Sequence, residues 1–134
     1  MHVKVQGNGE SVMKSGNIVY EKSFNFAINI IELAKKLRQL NEYEIASQVL
    51  RSGTSIGANI AEAKYAQGEK DFISKMAIAR KEANETLYWL KLLTGANILS
   101  QEITQPLISD IFEIIRILTS IIKTTIDKRA KSDN

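Results

Sequence analysis

The sequence predicts an all-α fold, an antiparallel up-down-up-down bundle of four helices. From Ser23 onward, apolar residues recur at the three- and four-residue spacings of amphipathic helices. This pattern is interrupted at only three places, around Asn41, around Gln67-Gly68 and over residues 95–100. The chain of 134 residues fits one domain. Short loops between four helical segments favour antiparallel neighbours and therefore a simple bundle.

The first 20 residues are predicted to form a flexible N-terminal arm. They hold three of the seven glycines, at Gly7, Gly9 and Gly16, and they lack sustained periodicity. The bundle itself is predicted over residues 21–128, and residues 129–134 are predicted to form a polar C-terminal tail.

Helix 1 is predicted to begin with Ser23 as its N-cap and to end near Leu40. At about 100° per residue, its apolar positions cover roughly 240° of the circumference. Helix 2 is predicted from about Tyr43 to Ala66, with Gly53 and Gly57 inside it. Each glycine costs about 1 kcal/mol relative to alanine, so their presence indicates close approach by a neighbouring helix.

Helix 3 is predicted to begin near Glu69 or Lys70 and to end at Thr94. Gly95 is then expected to supply the left-handed residue that follows many helices. The core stripe of this helix has spacings of three and four. It consists of Phe72, Met76, Ala79, Ala83, Leu87 and Leu90.

Helix 4 is predicted to begin between Glu102 and Pro106, because proline is tolerated in a first turn, and to end near Lys128. Its apolar positions cover about 220°, whereas a helix that faces one core needs an arc only somewhat over 100°. The excess on helices 1 and 4 predicts self-association, because large exposed apolar patches mark interaction surfaces. The alternative is that the N-terminal arm shields part of this surface.

The composition is that of a soluble globular protein, with 44% hydrophobic and 25% charged residues. No run is long enough for a membrane span, and residues 1–17 contain no signal-peptide core. Cysteine is absent, which is compatible with a reducing compartment. These features predict a cytoplasmic protein with no membrane partner. The net charge of +3 permits nucleic-acid binding without arguing for it.

The chain offers no recognisable catalytic apparatus, and we expect no enzyme activity. His2 is the only histidine, so a histidine-based relay or a zinc site has no second partner. Glu82 and Glu85 lie three residues apart but share their sector with Asp71 and Lys75, which favours a solvated or salt-bridged face. No cofactor, metal ion or small-molecule substrate is expected.

Helix 2 carries an unusual polar ridge within the segment RSGTSIGANIAEA, residues 51–63. The ridge steps by four, four and three residues through Arg51, Ser55, Asn59 and Glu62, beside an apolar ridge of Ile56 and Ile60. It could form a ligand or nucleic-acid surface. The favoured interpretation is structural, with Arg51 or Glu62 paired to an opposite charge on helix 3 such as Glu85 or Arg80.

Helix 3 also carries a basic strip. At about 100° per residue, four side chains fall within an arc of about 100°: Lys70, Arg80, Lys81 and Lys91. Repeated around an oligomer, this strip would make a multivalent phosphate-binding surface, so these residues are candidate nucleic-acid contacts. The alternative is a solvated face with no partner.

The sequence resembles a bacterial four-helix-bundle family first noted as proteins encoded in intervening sequences of large-subunit (23S) rRNA genes. The resemblance covers residues 17–128, and its most specific piece is LRSGTSIGANIAEA at residues 50–63. KSFNFA at residues 22–27, KDFISKMAIARKEANETLYWL at residues 70–90 and the isoleucine-rich last helix add support. Ala63 departs from the pattern, since many members carry glycine there.

The resemblance implies an antiparallel bundle that assembles into a ring-shaped homopentamer. Relatives include a positively charged accessory protein of diversity-generating retroelements that binds nucleic acid and works with a reverse transcriptase. On this basis we expect non-specific binding of RNA or DNA; the alternative is a scaffold for a polypeptide partner, such as a polymerase, without nucleic-acid contact. The family-motif residues, mainly structural in role, are Arg51, Ser55, Ile56, Asn59, Ile60, Glu62 and Glu85.

Overall fold

The computed structural model describes residues 8–132, with side chains from residue 12 onward. In this range the secondary structure consists of helices, and the predicted all-α fold is confirmed. The four helices are α1 (Asn8–Gln39), α2 (Tyr43–Ala63), α3 (Glu69–Gly95) and α4 (Gln101–Ser132).

The helices form a bundle in which α1 packs against α2 and α4, and α3 packs against α2 and α4. Contacts between consecutive helices run in opposite chain directions. Ile30 meets Gly53 while the earlier Ser23 meets the later Gly57, so α1 and α2 are antiparallel. The same reversal relates α2 to α3 and α3 to α4, through the side-chain pairs Arg51–Glu82, Glu62–Lys75, Arg80–Thr119 and Thr94–Thr104.

The two helix-2 glycines lie where α1 approaches most closely, as the sequence predicts. A Cβ atom on Gly53 would lie 2.7 Å from Ile30 Cγ2, and one on Gly57 would lie 3.3 Å from Ser23 Oγ. The core contains side chains from all four helices. Its largest fully buried members are Phe26, Ile30, Leu37, Ile56, Ile60, Met76, Leu90, Leu93, Ile111, Ile114, Leu118 and Ile121.

The predicted start of helix 1 at Ser23 is wrong, because α1 begins at Asn8. Ser23 is fully buried inside the helix, and its Oγ donates a hydrogen bond to the carbonyl of Tyr20 at 2.8 Å. Val19 is also fully buried, so core packing extends into the segment assigned to the arm. Tertiary packing therefore outweighs the low helix propensity of Gly16. The rest of the predicted arm, residues 1–7, lies outside the described residues.

The other helix ends differ from the predictions by a few residues. The last regular residue of α2 is Ala63, three residues before the predicted end. The helix α4 begins at Gln101, so Pro106 lies in its second turn, and the helix continues through the predicted tail as far as Ser132.

The left-handed residue after α3 is Asn97 and not the predicted Gly95. Asn97 has φ 59°, and the amides of Asn97 and Ile98 donate to the carbonyls of Thr94 and Leu93 at 3.0 Å each. This is the Schellman arrangement, in which two unpaired helix carbonyls gain donors. Asparagine tolerates the left-handed region because its short polar side chain bonds locally. Gly95 instead remains within the helix.

Candidate functional site

Arg51 links α2 to α3 through two carboxylates. Its Nη1 donates to Glu82 Oε2 at 3.1 Å, and its Nη2 donates to Glu85 Oε2. The same Glu85 oxygen accepts a hydrogen bond from Trp89 Nε1 at 3.3 Å. Glu82 is buried, and a carboxylate removed from water requires a charged partner. Arg51 therefore stabilises the packing of α2 against α3.

A buried hydroxyl pair lies beside this ion-pair network and was not foreseen from the sequence. Thr86 Oγ1 lies 2.9 Å from Ser52 Oγ and 2.8 Å from the carbonyl oxygen of Glu82. Both side chains are fully buried. Serine and threonine are common on either face of a helix, so only the register between α2 and α3 reveals the pair.

The other polar side chains of the ridge have hydrogen-bond or ion-pair partners nearby. Ser55 Oγ donates to the carbonyl of Arg51 at 2.6 Å, and Asn59 Nδ2 donates to the carbonyl of Ser55 at 2.8 Å. Glu62 Oε1 lies 3.8 Å from Lys75 Nζ, so its partner on α3 is Lys75 and not Arg80. Ile56 and Ile60 are buried in the core. The polar ridge thus runs along the partly exposed edge of the contact between α2 and α3, beside the buried apolar ridge.

The predicted basic strip lies on the side of α3 that adjoins α4. Arg80 Nη1 lies 3.5 Å from Thr119 Oγ1, and Lys91 Nζ lies 5.7 Å from the centroid of the Phe112 ring. On α4, spacings of four, three and four place Phe112, Arg116, Thr119 and Lys123 on one ridge. Arg116 and Lys123 of α4 therefore extend the basic strip.

We call this surface the basic face. It is defined by Lys70, Arg80, Lys81, Tyr88 and Lys91 of α3 together with Phe112, Arg116 and Lys123 of α4. All are exposed except Arg80, which is partly buried. Sequence reasoning found the four basic residues on α3 and missed Arg116 and Lys123. The helical spacing of Arg116 and Lys123 indicates a shared side of helix 4, but the many isoleucines dominate the sequence pattern of that helix.

Along the middle of α3 and α4, the carboxylates lie away from the basic face. Between residues 70 and 92, each one has a contact elsewhere: Glu82 and Glu85 bind Arg51 of α2, and Asp71 accepts from the backbone amide of Gln67. Between residues 103 and 126, Asp110 and Glu113 line a groove against α1. Glu69 and Asp127, at one end of the bundle, mark the limit of the face.

The direction of Glu113 is fixed by Lys22 of α1, whose Nζ lies 2.8 Å from Glu113 Oε1. The hydrogen bond and positive charge of Lys22, assisted by the charge of Arg116, hold the pKa of the Glu113 carboxyl below its ordinary value. The carboxylate therefore stays ionised and turned toward α1, although its chain neighbour Phe112 belongs to the basic face.

Charge is segregated in this molecule despite the small net charge. None of the six basic residues of the basic face forms an ion pair with a side chain of residues 12–132. Among residues 12–132, the 11 lysines and arginines outside the basic face are outnumbered by 13 acidic residues. The surface outside the basic face therefore carries an acidic excess.

The opposite side of the bundle, formed by α1 and α2, presents an uncharged face. On α1 it consists of Met13, Asn17, Tyr20, Phe24, Ile28 and Ile31, and on α2 of Ser47, Leu50, Thr54, Ala58 and Ala61. Phe24 is 54% exposed and Ile28 is 46% exposed. At 1.5 Å per residue, the α1 stripe is about 27 Å long. Lys64, whose Nζ lies 4.2 Å from the centroid of the Tyr20 ring, covers only one end.

Two other kinds of site are absent from the part of the chain that the structure describes. Within residues 8–132, no helix combines the length and apolar character that crossing a membrane requires. The same residues hold no cluster of three or more histidine, aspartate or glutamate side chains placed to bind a metal ion.

Comparison with known proteins places this fold in a family. The model of the family described as 23S rRNA-intervening sequence protein matches residues 15–120. A crystal structure of a protein of unknown function from the S23 ribosomal protein family of Bacteroides thetaiotaomicron VPI-5482 is 48% identical, with a TM-score of 0.79. The match covers 81% of this chain and 98% of that one. The curated proteins gave no significant match. The chain therefore belongs to the 23S rRNA-intervening sequence protein family.

Proposed function

We propose that this chain is a non-enzymatic, cytoplasmic homo-oligomer, a homopentamer, that binds RNA or DNA without sequence preference through phosphate contacts. The observation that carries the proposal is the basic face, in which six unpaired cations lie together on two adjacent helices. Lysine and arginine side chains that neutralise phosphates release condensed counterions, which drives sequence-independent binding.

The uncharged face supports the assembly part of the proposal. Its stripe of exposed phenylalanine and isoleucine forms the kind of contiguous apolar patch that marks interaction surfaces. Apart from Leu50, the neighbouring stripe on α2 is built from small residues, which would let a helix of another copy approach closely. Subunit number five rests on the family resemblance. Because the basic face lies opposite, assembly through the uncharged face would leave the cations of every subunit exposed to solvent and able to bind phosphate.

Assembly predicts a particle of about 75 kDa by light scattering, five times the subunit mass of 15.0 kDa. The double substitution Phe24→Glu/Ile28→Glu should reduce the mass to that of the monomer, because it places two charges in a desolvated interface. Ile126→Glu is the matched control, since Ile126 is 48% exposed but lies on α4. A folded wild-type monomer at micromolar concentration would contradict the assembly proposal and leave a different polypeptide as the candidate partner for this face.

Phosphate binding predicts an affinity for a mixed-sequence oligonucleotide pool that falls steeply with salt. Arg116→Gln/Lys123→Gln should make the negative slope of log K against log salt shallower, by roughly 1.4 to 1.8 for each subunit engaged. Lys14→Gln/Lys36→Gln removes the same net charge from α1, away from the basic face, and should leave the slope almost unchanged. Equal effects of the two variants, or no binding to RNA or DNA at low salt, would reject this proposal.

A further inference from the structure

Resting on the proposed function, we infer that the basic face takes single-stranded RNA or DNA, and that Tyr88 and Phe112 provide stacking surfaces for its bases. The preference for a single strand is argued from the two aromatic rings, because phosphate binding alone does not require them.

Both rings stand largely in water among the cations. Tyr88 is 57% exposed and Phe112 is 48% exposed. At about 100° per residue, Tyr88 lies between the directions of Lys81 and Lys91. Phe112 lies one turn from Arg116 and beneath Lys91, whose ammonium group is 5.7 Å from the ring centroid. An aromatic side chain of this exposure contributes little to the core. Lys91 approaches the Phe112 ring and Trp89 meets the Tyr88 ring at 5.2 Å between centroids, so a base would stack on the ring surface that these neighbours leave exposed.

The width of the basic face disfavours a duplex ligand. Two helices packed side by side, each about 10–12 Å in diameter with axes about 8–10 Å apart, present a surface roughly 20 Å wide. The major groove of B-DNA is about 12 Å wide and admits a single helix. The face therefore lies against the outside of a duplex, where it meets phosphates but no exposed base. Tyr88 and Phe112 would have nothing to stack on.

A single strand satisfies both chemical features of the face. Its phosphates pair with the lysines and arginines, and its unstacked bases offer π-faces to the rings, whatever their sequence. The α3 portion from Lys70 to Lys91 extends over about 32 Å at 1.5 Å per residue, which is long enough to follow several nucleotides. An acidic peptide would use the cations alone and leave the rings without a role.

The test compares a mixed-sequence 20-nucleotide single strand with the corresponding duplex by fluorescence anisotropy at one salt concentration. We expect the single strand to bind at least tenfold more tightly. Tyr88→Leu and Phe112→Leu should each weaken single-strand binding by about five- to a hundredfold, with little change in duplex binding or in the salt slope. Tyr43→Leu is the control, because Tyr43 is 55% exposed at the start of α2. Light-scattering mass and thermal melting check that each variant keeps its fold.

The outcomes separate this inference from the proposed function. If the aromatic variants bind like the wild type, or the duplex binds as tightly as the single strand, the inference is overturned. The proposed function survives that result as long as Arg116→Gln/Lys123→Gln still loses affinity. Displacement of the single strand by polyglutamate at equal charge concentration would also overturn the inference, since recognition would then rest on charge alone. Failure of both nucleic-acid forms to bind rejects the proposed function itself.

Discussion

Replacing Gly53 with valine is expected to lower the free energy of unfolding by about 3 kcal/mol. A Cβ at this position would lie 2.7 Å from Ile30 Cγ2 and 3.0 Å from Ile30 Cγ1. Both residues are buried, and the β-branched Ile30 has little rotamer freedom within a helix, so relief requires a shift of α1 from α2. Urea unfolding at one fixed protomer concentration measures the effect, because the stability of an oligomer depends on concentration.

Gly57→Ala is the matched control for Gly53. Its Cβ would lie 3.3 Å from Ser23 Oγ, a tight contact that requires a shift of a few tenths of an ångström, and 3.7 Å from the next atoms. The gain in helix propensity of about 1 kcal/mol offsets the small adjustment, so stability should stay the same or rise. In a protein that already carries Ile30→Ala, Gly53→Val should lower the free energy of unfolding by less than it does in the wild type. Wild-type stability of Gly53→Val would show that the two helices are not in close contact.

Arg51→Met is expected to lower the free energy of unfolding by about 2 kcal/mol. Removing one partner of a fully buried ion pair costs about 3–5 kcal/mol. The lower figure applies because the Arg51 side chain is 50% exposed, whereas that of Glu82 is only 12% exposed. The loss arises from Glu82, which keeps its buried position without a cation. Chemical unfolding monitored by circular dichroism provides the measurement.

Two further variants isolate the ion pair. Arg38→Met removes an exposed arginine from the last turn of α1 and should change stability by less than about 0.5 kcal/mol. Adding Glu82→Gln to Arg51→Met should restore part of the loss, since a neutral amide costs less to bury than an unpaired carboxylate. An unchanged melting temperature and an unchanged oligomeric state in Arg51→Met would show that the structural interpretation of this motif residue is wrong.

The number of helices and their close approach could be predicted because both depend on local sequence features. Loops interrupt the helical period at three places, and the costly glycines Gly53 and Gly57 occur where a neighbour needs the space. The start of α1 could not, since the helix before Ser23 is stabilised by tertiary burial of Val19, which the local sequence does not reveal. The end of α3 was assigned to Gly95 on general preference, although Asn97 satisfies the same backbone requirement.

The candidate site shows a similar division. The pairing of Arg51 with Glu85 was anticipated, because the polar ridge of helix 2 was expected to meet opposite charges on helix 3. The burial of Glu82 was not, since its exposure depends on the tilt between α2 and α3. The strip on α3 was found from the spacing within one helix. Its continuation through Arg116 and Lys123 depends on which side of α4 meets α3, and one helix alone does not contain that information.

The separation of charge gives the molecule an electric moment that its net charge of +3 conceals. In the field of any polyanion, the side with six cations is drawn forward and the acid-rich remainder is pushed back. The protein would therefore rotate into a preferred orientation before first contact. Such steering raises the rate of productive encounters at low ionic strength, and it fades over about 8 Å at physiological salt.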